Sequence, residues 1–205
     1  MSDFETICED MKKHGMRLPP DRVMLRLRGA KQVLKMAMER FLERDGVKAV
    51  WRPEYDEVGE WLENNDGKGL LMIGNCGTGK TFLGMYAIPF AICAMTRMPD
   101  KKIVSCYDMY EMNSNVDEIK KKRYVYLDDV GTESLLVEFG NKRAVFAEIM
   151  DNAEKRGNLI IASTNLDGEG IRRRYGDRVM ERIRTTMRVV PFNGKSLRGL
   201  RNPSV

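Results

Sequence analysis

Gly69-Leu-Leu-Met-Ile-Gly74-Asn-Cys-Gly-Thr-Gly-Lys80-Thr-Phe82 is the stretch on which the fold turns. Gly69 to Ile73 reads as a buried strand, and an apolar, helix-like run begins at Phe82. Between them, Gly74, Asn75, Cys76, Gly77, Thr78, Gly79, Lys80 and Thr81 fit G-x-x-x-x-G-K-[ST], the phosphate-binding P-loop. A loop that wraps a triphosphate must bring backbone N–H groups close to oxygens. Glycines without a Cβ allow that curl, and the helix that follows turns its free N–H groups toward the anion. Lys80 is placed to reach the β- and γ-phosphates, Thr81 to ligate Mg²⁺, and Phe82 closes the binding segment.

The bulk numbers narrow the classes. At 205 residues the chain is long enough for one domain with its own core. Four cysteines (Cys8, Cys76, Cys93, Cys106) without C-x-x-C spacing argue against a disulfide framework and suit a reduced cytosol. His14 is the only histidine, which disfavours a zinc site and any Ser-His-Asp or Cys-His hydrolase. Cys76 reads as a small filler rather than a redox switch. The acidic N-terminus does not resemble a signal peptide. The uncharged run Phe82 to Thr96 is too short to span a bilayer, and its helix is expected to kink or end near Pro89.

The net charge of +5 is unevenly placed. From Ile171 to Val205, nine arginines and Lys195 face only Asp177 and Glu181, so this tail carries +8 and the rest −3. A segregated arginine cluster points to a polyanion, either nucleic acid or a neighbour's nucleotide. Lys120 to Arg123 reads mainly as solvated charge complementing a helix C-terminus.

Ser2 to Lys13 is expected to be a short helix. Asp21 is expected to cap a second, running to about Arg44, with Val23, Leu27, Ala30, Leu34, Ala37 and Phe41 on one face. That stripe packs on the chain's own core or docks on a partner. Asp45-Gly46 is the boundary candidate, separating an N-terminal helical segment (1–45) from the nucleotide domain (46–205). Glu54 to Glu63 reads helical, and Asn64 to Gly67 as a turn. Trp51 and Tyr55 pack in the core or line an adenine pocket. Lys102 to Cys106 is a second strand, and Tyr107 to Lys122 a polar helix.

Tyr124-Val-Tyr-Leu-Asp128-Asp129 is a β-branched and aromatic run ending in two carboxylates. At the tip of a parallel strand beside the P-loop, Asp128 can hold Mg²⁺ through water and Asp129 can polarise an attacking water. Asn141 to Arg156 reads as an amphipathic helix. Asn158 to Asn165 is another buried strand, whose Asn165 orients a lytic water, touches the γ-phosphate, or caps the strand end. Tyr175 to Thr185 is an arginine-bearing helix and Met187 to Phe192 a last strand. Strands alternating with helices predict a three-layer α/β fold around a mostly parallel five-stranded sheet.

Taken together, the P-loop, the Leu-Asp-Asp tip, the Ser-Thr-Asn-Leu strand end, Tyr-Gly-Asp-Arg-Val-Met-Glu-Arg-Ile-Arg and the closing Phe-Asn-Gly-Lys-Ser-Leu-Arg resemble AAA+ ATPases of the DnaC/IstB type. The resemblance covers about Ala49 to Arg198. It implies ATP/ADP and Mg²⁺ as ligands, Lys80 and Thr81 as the Walker A lysine and metal ligand, and Asp128 as the Walker B aspartate. Asp129 takes the place of the catalytic acid and Asn165 that of sensor 1. Arg182, with Arg178 one turn earlier, lies on the helix that carries an arginine finger into a neighbouring subunit. Arg198 matches the family's Ser-x-Arg. The chain stops soon after it, leaving no room for a helical lid. The implied function is a cytoplasmic helicase loader that self-associates, hydrolyses ATP, and engages single-stranded DNA and a replicative ring helicase, with no membrane partner. The rival readings are an IstB-like transposition helper, a non-hydrolysing ATP-switch adaptor, and a small-molecule P-loop kinase.

Overall fold

The computed structural model describes residues 2–16, 18–96, 104–133, 136–138 and 141–198. In chain order these form α1 (Ser2–Lys13), α2 (Ala30–Arg44), α3 (Pro53–Glu63), β1 (Gly69–Gly74) and α4 (Lys80–Phe82). A π-helical turn, Leu83–Ala87, leads into α5 (Ile88–Thr96). Then come β2 (Ser105–Tyr107), α6 (Met109–Ser114), α7 (Val116–Ile119), β3 (Tyr124–Leu127), β4 (Leu136–Glu138) and β5 (Asn141–Arg143). The chain continues with α8 (Val145–Arg156), β6 (Leu159–Thr164), α9 (Gly168–Tyr175), α10 (Asp177–Thr186) and β7 (Met187–Phe192).

Five strands form a parallel sheet in the order β2-β3-β6-β1-β7, and β4 and β5 pair as a separate antiparallel hairpin. The pleat explains the three layers, because successive side chains point to opposite faces. Leu70 and Met72, Tyr124 and Tyr126, and Leu159 and Ile161 face one core with α2, α3 and α5. Leu71, Val125, Leu127, Ile160 and Ala162 face a second core with residues of α6 to α10. Because the sheet is covered on both sides, its three central strands, β3, β6 and β1, read as continuous apolar runs. The strand carrying Asp128 is not next to the P-loop strand, as the sequence reading had it. β6 lies between them, with Ile161 level with both Leu70 and Tyr126. Two buried strands of this kind look alike in sequence, so their lateral order is not written in either one.

Several elements differ from expectation. Residues 18–27 are not helical. Val23, Leu25 and Leu27 are buried at every second position, as in an extended segment. Its backbone is held by Val23 N–H donating to Gly157 O, Leu27 N–H to Leu62 O, and by Asn65. The helix begins only after Gly29, whose φ of 81° is left-handed. The apolar stripe of α2 lies in the same core as the sheet: Ala30 and Leu34 are fully buried. The chain does not leave its helix at Pro89. The π-turn in front of it, closed by Ile88 N–H to Leu83 O, absorbs the missing donor and α5 resumes. The expected helix from Tyr107 is two short ones, the first opened by a reciprocal Asp108–Glu111 capping box. Asn141–Arg143 belong to the hairpin, so α8 starts at Val145. Of the expected Lys102–Cys106 strand, residues 102 and 103 lie outside the described residues. Among the described residues no helix is long and apolar enough to cross a membrane.

Asn65 is the polar residue that ties the extended N-terminal segment to the sheet. Its Oδ1 accepts from Leu25 N–H at 2.7 Å, and its Nδ2 donates to Val23 O and Lys68 O, both at 3.0 Å. Asn65→Leu leaves buried backbone groups without partners and is expected to lower stability by about 2–4 kcal/mol, read as a lower urea midpoint. An unchanged midpoint would contradict this role.

Candidate nucleotide-binding site

The P-loop opens at the C-terminal end of β1. Gly74, Gly77 and Gly79 have φ of 144°, 76° and 97°, all in the region that L side chains avoid. All three are also closely packed: a Cβ at Gly74 would lie 2.2 Å from Phe192 O. A Cβ at Gly79 would lie 2.5 Å from the Tyr55 hydroxyl, and one at Gly77 would lie 2.2 Å from Ser196 Oγ. The buried Tyr55 donates from its hydroxyl to Thr78 O at 2.8 Å, and so braces the loop from behind. Thr78 is itself buried, with Oγ1 on Asn75 O, whereas Cys76 is exposed. Phe82 is half-buried and packs on Tyr86.

Lys80 is only 4% exposed, yet its ammonium donates to three uncharged oxygens: Gly74 O at 2.7 Å, Asn75 O at 2.8 Å and Asn165 Oδ1 at 3.0 Å. Burial pushes its pKa down, opposed in part by Cys76 and by Asp129 and Asp128. Asn165, at the tip of β6, also donates from Nδ2 to Asp129 Oδ1 at 3.1 Å, so one amide joins the lysine to the second carboxylate. The inserted position of β6 makes this possible, because its tip emerges between the P-loop and the two acids.

Asp128 is buried and accepts on Oδ1 from Thr81 Oγ1 at 3.1 Å, from Ser163 Oγ at 2.7 Å and from the Tyr126 hydroxyl. Burial, and then the charge of Asp128, hold the Tyr126 phenol well above its ordinary pKa. Asp129 has a left-handed backbone, φ 50°, fixed by its N–H on Ser163 Oγ at 3.0 Å. Burial, and then the charge of Asp128, raise its carboxyl above the usual range. Beyond it, Gly131 N–H donates to the buried Glu133, which also accepts from the Tyr175 hydroxyl and so ties this loop to α9.

These groups share a cleft of about 410 Å³. Its walls include Tyr55, Cys76, Gly77, Gly79, Lys80, Thr81, Phe82, Asp129, Asn165 and Arg198, together with the apolar Met38, Leu42, Val47 and Val50. Trp51 is not part of the wall; it stacks edge-on against Tyr55, 5.6 Å between centroids. Arg178 and Arg182 do not line this cleft. They sit on α10 in a separate groove against α8. Arg182 pairs with Asp151 and, at 2.8 Å, with Glu154, and its side chain is 14% exposed. Arg178 is 80% exposed and meets Asp151 at 3.4 Å. Much of the C-terminal positive charge is compensated locally: Arg172, Arg174, Arg184 and Arg188 also pair with acids. Sequence reading did not find Tyr126, Ser163 or Glu133. The serine in Ser-Thr-Asn was visible, but only the β3–β6 register places it beside Asp128.

A buried ammonium with no carboxylate bound to it, and glycines packed too closely for any Cβ, fit a polyphosphate. A hydroxyl and a carboxylate in contact fit a Mg²⁺ that takes its remaining ligands from phosphate and water. Among the described residues there is no group of three or more His, Cys, Asp or Glu side chains that could hold a metal ion.

No protein-family model matches the sequence, and no curated protein does. Solved structures do match. A putative primosome component from Streptococcus pyogenes serotype M3 superposes with a TM-score of 0.56 at 18% identity, over 75% of this chain and 87% of that one. DnaI superposes at 0.54 and 18% identity, over 80% of this chain and 94% of that one. The replication initiator DnaA, bound to AMPPCP and single-stranded DNA, superposes at 0.50 and 20% identity, over 78% of this chain and 50% of that one. The chain has the AAA+ P-loop ATPase fold. That is the fold expected from the resemblance to the DnaC/IstB type, and P-loop residues form part of the cleft wall.

The raised carboxyl of Asp129 is open to direct measurement. A carbon-13 NMR titration is expected to place its pKa above the ordinary carboxylate value, and Asp128→Asn, which removes one cause of the shift, to lower it. A normal value in the unmodified chain would contradict the crowding of the two acids.

Proposed function

We propose that the chain is an ATP-dependent helicase loader: it binds and hydrolyses Mg²⁺-ATP, assembles side by side with copies of itself, and engages single-stranded DNA and a replicative ring helicase. One observation carries the nucleotide part. Lys80, Thr81, Asp128, Asp129 and Asn165 meet through direct hydrogen bonds at the ends of three adjacent strands. In this reading Mg²⁺ supplies charge neutralisation at the phosphates. Thr81 and Asp128 hold it, Lys80 holds the β- and γ-phosphates, and Asp129, oriented by Asn165, accepts a proton from the attacking water. The raised pKa of Asp129 suits a base.

The loader role is supported by the kind of protein that shares the fold: a primosome component, DnaI, and a DnaA bound to single-stranded DNA. The arginines of α10 lie away from their own cleft, as groups that serve a second copy must. The basic C-terminal stretch supports a polyanionic partner, although its paired arginines leave less free charge than the sequence suggests. Within residues 1–45 the part we assign to the helicase is α1, whose Phe4 and Ile7 are exposed, because α2 buries its stripe in the chain's own core; the cytoplasm is the compartment this function requires.

Three results are expected. Lys80→Ala abolishes ATP binding measured by calorimetry. Turnover per chain rises steeply with protein concentration, and Arg178→Ala or Arg182→Ala lowers it by a factor of about 10³ or more if that residue is the trans finger. Equal turnover per chain at all concentrations, unchanged in both variants, would contradict assembly through α10. Affinity for single-stranded DNA falls as salt rises from about 50 to 200 mM. A flat affinity would contradict contact through the basic stretch, and co-purification with a transposase instead of a helicase would reassign the partner.

A further inference from the structure

Tyr126 occupies a strand position at which any large apolar side chain would pack. It is fully buried, in the core that the sheet shares with α2, α3 and α5. Its hydroxyl nevertheless ends on a carboxylate: it donates to Asp128 Oδ1, two residues further along the chain. Two more donors reach the same oxygen, Ser163 Oγ at 2.7 Å and Thr81 Oγ1 at 3.1 Å. Oδ2 of Asp128 has no partner among the described residues. A carboxylate held this firmly by one oxygen presents the other in a fixed direction.

The ring that carries the hydroxyl is itself fixed. A Cβ at Gly84 would lie 2.1 Å from two of its carbons and 2.6 Å from its oxygen, so the ring lies flush against the π-helical turn. That turn follows directly on α4, the short helix whose Thr81 faces Asp128. Tyr126 therefore touches both sides of the Thr81–Asp128 pair. Its ring bears on the helical stretch that carries the threonine, and its hydroxyl on the acid, so its length gauges the gap between them. A phenylalanine would fill the same volume and leave that gap unbridged. Ser163 shares the task, but its Oγ also accepts from Asp129 N–H at 3.0 Å. Tyr126 is thus the donor whose loss acts on Asp128 alone.

We propose that Tyr126 is a positioning residue for Mg²⁺: by holding Oδ1 of Asp128 at a set distance from the helix that carries Thr81, it keeps Oδ2 free for the metal or for a water on it. This rests on the nucleotide reading of the cleft. Groups that hydrogen-bond a metal ligand from behind orient it, and their loss typically costs about 10–100-fold in metal affinity. The residue touches neither nucleotide nor metal, so its effect is confined to the part of binding that depends on Mg²⁺.

Calorimetric titration of the full chain with a non-hydrolysable ATP analogue, in EDTA and over a series of Mg²⁺ concentrations, tests the assignment. Tyr126→Phe keeps the ring and its contact with Gly84. It is expected to raise the Mg²⁺ concentration for half-maximal tightening about tenfold, and to change affinity in EDTA by less than about twofold. An unchanged Mg²⁺ requirement would overturn the proposal. So would equal weakening with and without Mg²⁺, which is what a hydroxyl of purely structural value would give. Gly84→Ala, which displaces the same ring with its hydroxyl intact, is a second route: a higher Mg²⁺ requirement is expected, and an unchanged one counts against the proposal. If the unmodified chain binds no analogue in either condition, the nucleotide reading itself falls and this assignment with it. A chain that binds the analogue and responds to Mg²⁺, with an indifferent Tyr126→Phe, refutes only the assignment.

Discussion

The buried ammonium of Lys80 is the constraint around which the cleft is arranged. Its three partners are two carbonyls of its own loop and the amide of Asn165, none of them charged. A cation in that position has given up much of its hydration, and the protein returns only dipoles. The arrangement suits a group that completes its coordination with an anion from outside. The rest of the site follows from it. Asn165 can reach the lysine only because β6 lies next to β1. The same amide then fixes Asp129, and Ser163, two residues earlier, fixes both aspartates.

The strand order therefore sets the chemistry. Had β3 been the neighbour of β1, the acids would have crowded the loop with nothing polar between. With β6 inserted, hydrogen bonds run without a break from Lys80 through Asn165 to Asp129, and from Thr81 through Asp128 to Ser163 and Tyr126. Tyr126 links this chemistry to packing. Its ring lies where a Cβ at Gly84 would sit, 2.1 Å away, so the π-turn must pass over it on a glycine. One residue thus supports the helix that follows the P-loop and donates to the acid that faces it.

The fold class and the P-loop were legible in the chain because they rest on local patterns. Three apolar runs, each followed by polar residues, and a glycine spacing with a lysine carry their own explanation. What could not be read depends on tertiary context. The segment Val23-Met-Leu-Arg-Leu27 fits a helical stripe through Val23 and Leu27, but its alternate residues Val23, Leu25 and Leu27 are the ones buried, and Asn65 across the chain settles the choice. Pro89 reads as a break, yet a π-turn upstream accommodates it. Ser163 and Tyr126 are ordinary strand residues until register places them on Asp128. The α10 arginines were legible as a group, but not that Arg182 is held by Asp151 and Glu154 while Arg178 projects outward.

A crystal structure of the chain grown with Mg²⁺ and a non-hydrolysable ATP analogue tests the central claim most directly. The account predicts phosphates enclosed by residues 74–81, with the Lys80 ammonium turned from its loop carbonyls toward them and the metal between Thr81 and Asp128. A nucleotide bound elsewhere, or an empty loop at saturating analogue with Lys80 still on its carbonyls, would contradict it.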